Sequence, residues 1–187
     1  RSQWNSDYAM NKLVELHNMG FKVTWKVISI GLYGARYIPV QLTRDEVFDY
    51  LDHLLYNTNK QTDNIVNLIC NRDDDLATDK LLVSLADNDG FILSLQLRKW
   101  RTLLLSNTLN SLSQDYLQGL LELMDFWMSM GPPKDCPLSF PNTHSSLTTE
   151  KFFTQTMYEM SVHNNYDWLK NEVSSIIESE KSYDWLF

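Results

Sequence analysis

The chain has 187 residues, 43% apolar and 12% aromatic, which suits one globular domain over residues 1–187 and excludes a disordered chain. Its 24 acidic and 16 basic side chains leave a formal charge of −8, which argues against nucleic-acid binding, since that needs a cationic footprint. No apolar run reaches the roughly 18 residues of a bilayer span, no leader opens the chain, and Cys70 and Cys136 lack a CxxC spacing, so the expected setting is a reducing cytoplasm.

The periodicity predicts a mostly α, single-domain helical bundle. A first helix over 7–19 carries Met10, Leu13, Val14 and Leu16, with Ser6 as cap and Gly20 as stop. Over 21–42 the pattern has two readings. Phe21, Val23, Trp25 and Val27 alternate with Lys22, Thr24 and Lys26, as in a small β-hairpin. Alternatively Thr24 caps a short helix ended by Gly34, and the lack of an equally clear second strand favours this one.

The next helix, 44–56, has a Thr43–Glu46 capping box and a stripe of Val47, Tyr50, Leu51, Leu54 and Leu55. Short helices over 64–70 and 76–86 follow, separated by Asp73, Asp74 and Asp75, which suit the positive end of the second. Leu93, Leu97, Trp100 and Leu104 give a helical period within 91–105, although Phe91 to Leu97 also alternates like a strand leading into a helix.

A helix over 115–130, with Leu117, Leu120, Leu121, Met124, Trp127 and Met128 on one side, stops at Gly131-Pro132-Pro133. Residues 131–149 form a long loop rich in proline, serine and threonine. Thr148 or Thr149 then opens helices over 150–161 and 166–179, and the aromatic tail from Tyr183 to Phe187 is expected to dock on the body or on a partner.

Chemistry-bearing motifs are sparse. There is no phosphate loop, GxSxG, HExxH or paired CxxC, and the Asp87-Asn88-Asp89-Gly90 turn is out of register for a calcium loop. His17, His53, His144 and His163 stand singly, although Asp49 lies one turn before His53. Asp49 with Asp52, and Glu122 with Asp125, are helical neighbours that could act as an acid–base pair in a hydrolase. Arg98, Lys99 and Arg101 around Trp100 read as a solvated basic face. No catalytic residue, cofactor or metal is assigned, so the expected role is binding another protein rather than catalysis.

Trp25-Lys26-Val27-Ile28 with Gly31-Leu32 before a capped helix, the Arg98-Lys99-Trp100 turn, and Glu122-Leu123-Met124-Asp125-Phe126 running to Pro132-Pro133 form a set. Over about residues 21–140 this set resembles a bacterial family of helical proteins, originally of unknown function. Its members act as immunity proteins beside secreted or contact-delivered toxins, as in contact-dependent growth inhibition. Asp135-Cys136-Pro137 and the C-terminal region fall outside the likeness.

The resemblance implies an inert, cytosolic protein that binds a cognate toxin, a basic nuclease, and occludes its cleft or an exosite, without touching nucleic acid or membrane. Asp73, Asp74, Asp75 and Asp79, joined in sequence by Asp87 and Asp89 and flanked by Arg72 and Lys80, are the expected partner-binding residues, imitating phosphate charge. A helix N-terminus bathed in solvent would explain the same acids without a partner. A hydrolase using a carboxylate pair, or a helical scaffold or regulator, are the alternative functions.

Overall fold

The computed structural model describes residues 11–57, 61–138 and 148–183. Among them the protein is all-α, with helices α1 (Lys12–Asn18), α2 (Trp25–Tyr33), α3 (Arg44–Asn57), α4 (Thr62–Cys70), α5 (Asp75–Asp87), α6 (Leu93–Asn110), α7 (Tyr116–Ser129), α8 (Thr149–Phe152) and α9 (Gln155–Ser179). Two compact units are distinguished, Arg1–Trp100 with Ile176–Phe187, and Arg101–Ser175; the divisions fall inside α6 and α9.

In the first unit, Asn11 rather than Ser6 caps α1, its side chain accepting from Leu13 N at 2.9 Å. The part of that expected helix before residue 11, Ser6 included, lies outside the described residues. The 21–42 ambiguity resolves to a helix, and among the described residues the hairpin is reduced to an isolated Ala35–Ile38 bridge. The alternation is nevertheless physical over three residues. Ahead of the helix Phe21 and Val23 are buried with Lys22 half-buried between them, and Thr24, extended and itself buried, ends the pattern by accepting from Val27 N at 3.0 Å.

Burial then follows the helical period through Trp25, Val27, Ile28 and Ile30. Gly31 faces the Trp100 ring, where a Cβ would lie 2.5 Å from the ring and 2.6 Å from Leu42. The Trp100 indole N–H donates to Val27 O at 2.9 Å, fixing the ring against α2. The capping box of α3 forms as expected, with Thr43 N donating to Glu46 at 2.7 Å and Glu46 N to Thr43 Oγ1 at 3.2 Å. The strand alternative before Trp100 is not realised: Phe91 is buried in an extended lead-in, and the helix runs from Leu93.

The expected solvated basic face is not one. Lys99 is fully buried, and its ammonium donates to Lys22 O at 2.8 Å and Gln96 Oε1 at 2.8 Å and pairs with Glu180 at 2.6 Å. Three protons meet three acceptors, which makes a buried charge tolerable. Gln96 extends the network, donating to Glu180 Oε1 at 2.7 Å and accepting from Thr24 Oγ1 at 3.1 Å. Lys22 caps the end of α9 by donating to the carbonyls of Glu180 and Tyr183, and Tyr183 stacks on Phe91. The rest of the aromatic tail lies outside the described residues.

In the second unit, Asp115 caps α7, accepting from Gln118 N at 2.9 Å, and the helix stops at Met130 before Gly131, whose φ is +63°. Gly119 admits the Tyr158 ring, whose hydroxyl donates to Ser113 O at 2.7 Å. The helix expected over 150–161 is interrupted at Phe153–Thr154, after the short α8, whereas α9 runs unbroken from Gln155 through the gap expected at 162–165. Asn165, in that expected gap, is buried: it accepts from the Trp127 indole at 2.8 Å and donates to Ser161 O at 2.7 Å. Arg101, the last of the basic trio, lies over the Trp168 ring and 3.4 Å from Glu172. Of the 131–149 loop, residues 139–147 lie outside the described set.

Candidate partner-binding surface

The acidic residues occupy the α4–α5 turn and α5. Asp73 is exposed, and Asp74 caps α5 by accepting from Ala77 N at 3.0 Å. Asp75 is exposed, its side chain at 77%, with Arg44 Nε 3.7 Å away. Asp79 accepts from the Tyr33 hydroxyl and pairs with Arg44 Nη2 at 2.5 Å. The Tyr33 hydrogen bond, then that of Arg44, hold its carboxyl below the usual range, while burial and the Asp79 bond push the Tyr33 phenol up.

The other two predicted residues leave this group. Asp87 is the last residue of α5, about 18 Å along the helix from Asp75. Asp89 has a wholly buried side chain, ion-paired to Lys26 Nζ at 2.9 Å and accepting from Lys26 N at 2.8 Å and Phe91 N at 3.0 Å. It neutralises a cation and caps the start of α2, so it offers no charge to a partner.

In their place the fold supplies acids from α3. Asp45, Asp49 and Asp52 recur at i, i+4 and i+7 and so share one face of that helix. Arg72 ties this row to the α4–α5 turn: its guanidinium lies 3.7 Å from both Asp45 and Asp52 and 5.1 Å over the Phe48 ring. Arg44 makes the second tie, to Asp75 and Asp79. The carboxylates of Asp45, Asp49, Asp52, Asp73, Asp74, Asp75 and Asp79 therefore form two neighbouring rows, with Arg44 and Arg72 as the cations that link them. Sequence reasoning missed the first row because its link, Arg72 to Asp45, spans 27 positions.

The carboxylate pairs weighed for catalysis fare differently. Asp49 and Asp52 belong to the open acidic face. Glu122 and Asp125 line an open depression of about 420 Å³ with Thr108, Ser111, Phe126 and Ser129. Glu122 is already engaged there, accepting from Ser113 N at 3.0 Å and from the Gln118 amide at 3.1 Å, which holds the α6–α7 turn. His53 has its pKa lowered by burial and by His17, opposite to what an ion pair with Asp49 would do.

Among the described residues no group of three or more His, Cys, Asp or Glu side chains could hold a metal, and no helix is long and apolar enough to cross a membrane. No curated protein and no solved structure matches the chain. A family model described as an uncharacterized protein conserved in bacteria (DUF2247) matches residues 14–180, and the chain belongs to that bacterial family.

Proposed function

We propose that this protein is an immunity protein, which binds a cognate bacterial toxin, a basic nuclease, in a 1:1 complex and covers its active-site cleft or an adjoining exosite. The observation that carries this reading is the paired acidic rows of α3 and the α4–α5 turn. Two rows of carboxylates bridged by arginines hold negative charge in a fixed pattern, and a cleft built to grip phosphates attracts such a pattern from a distance. The resemblance to toxin-neutralising families supports the choice of partner. Inhibition by occlusion needs no reacting residue.

The test is co-expression with the product of the neighbouring toxin gene, which should protect the cells and give a stable complex; no complex would overturn the reading. Replacing Asp73, Asp74 and Asp75 together with asparagine then probes the face. Asparagine caps a helix as well as aspartate does, so α5 survives. Association at low salt should slow about tenfold and become less dependent on salt. An unchanged rate would move the binding site away from these residues.

A further inference from the structure

The second unit carries an apolar helix face that the acidic rows leave out of account. On α7, Leu120, Leu123, Phe126 and Trp127 are buried, as a core-facing helix requires. A second apolar stripe runs beside them: Leu117 is 45% exposed, Leu121 44% and Met128 68%, with Met124 half-buried between them. Successive spacings of four, three and four place these side chains within about 60° of one another around the helix. They span roughly 16 Å, two heptads of a coiled-coil seam with Leu117 and Met124 at d and Leu121 and Met128 at a. Three exposed and one half-buried apolar side chains at this register form a contiguous stripe rather than single scattered exposures.

The charge beside the seam identifies the occupant. Along one edge lie the carboxylates of Glu122 and Asp125, with the neutral Gln118 one turn before them, and α7 contains neither lysine nor arginine. A second copy laid on this stripe would bring two anionic helices together with no cation on either, from chains that each carry −8. A helix with apolar residues at heptad spacing and lysine or arginine along its flank meets both features. We infer that the α7 stripe is a docking strip for a basic amphipathic helix, about three turns long, of a protein partner. Met124 and Met128 suit it, because flexible thioethers adapt to different apolar anchors. The inference does not rest on the acidic rows of the first unit.

The test uses two designed peptides of about three heptads, leucine at a and d, with lysine at e and g in one and glutamate in the other. Like charges at e and g keep each peptide from pairing with itself. With methionine methyl groups labelled for NMR, the lysine peptide should shift the Met124 and Met128 resonances and saturate at 1:1, and the glutamate peptide should not. Leu121→Glu and Met128→Glu, both at exposed positions, should each weaken the lysine peptide about tenfold or more with thermal unfolding unchanged. Failure of the lysine peptide to bind, equal binding of the two peptides, or binding indifferent to both substitutions would overturn the inference. A dimer of the protein alone that Leu121→Glu dissociates would overturn it in favour of a second copy.

Discussion

The most deeply buried polar side-chain contacts of the two units differ in kind. The first closes around an ionic clamp, with Lys99 and Glu180 both buried and Gln96 and Thr24 wired to them. The second closes around a neutral bond, the Trp127 indole on the Asn165 amide, with Trp168 edge-on to Trp127 at 5.0 Å between ring centres. A charge removed from water needs every proton and lone pair matched, whereas a neutral donor needs one acceptor. The clamp is therefore the more fragile arrangement to interrupt, although it adds little net stability over well-packed apolar side chains.

The largest effect should come from Glu180→Ala, which leaves the Lys99 ammonium buried without its counter-charge. Denaturant unfolding should report a loss of about 3–5 kcal/mol, and the double substitution Lys99→Met with Glu180→Leu should recover most of it. A double variant as unstable as the single one would mean that the clamp stabilises beyond what its shape requires. In the second unit, Asn165→Leu strands the Trp127 N–H and should cost about 1–3 kcal/mol in the same measurement. An equal or larger loss than for Glu180→Ala would reverse the contrast.

The smallest effect is a pH dependence confined to the clamp. Burial lowers the Lys99 pKa from its ordinary 10.5, against the opposing pull of Glu180. With the folded pKa below the unfolded one, the unfolded chain binds more protons between the two values. Stability therefore rises with pH through that window as native Lys99 sheds its proton. Subtracting the pH profile of Lys99→Met from that of the parent should isolate this rise on the alkaline side, and a falling difference would contradict it.

What the sequence revealed was local. The Thr43–Glu46 box lies within one turn, and both of its partners are visible from their spacing. Alternation holds only from Phe21 to Val23 and ends at Thr24, a buried cap, so a period of two carried on past it left a strand reading beside the favoured helix. Lys99 and Asp89 were read as surface charge because their partners, Glu180 and Lys26, lie 81 and 63 positions away. The gap expected at 162–165 is closed because Asn165 turns its polar side chain inward, where the buried Trp127 indole needs an acceptor. The α7 stripe was legible as one apolar side, but its division into buried and exposed halves was not, since periodicity marks a face and does not say what covers it.

Gly31 gives up about 1 kcal/mol of helix propensity so that the Trp100 ring can lie against α2, where even a methyl group would meet ring carbons at 2.5 Å. In evolutionary terms this ties position 31 to positions 100 and 42 together. A side chain gained at 31 requires both the indole and the Leu42 side chain, 2.6 Å away, to give way, and a tryptophan kept at 100 keeps the glycine with it.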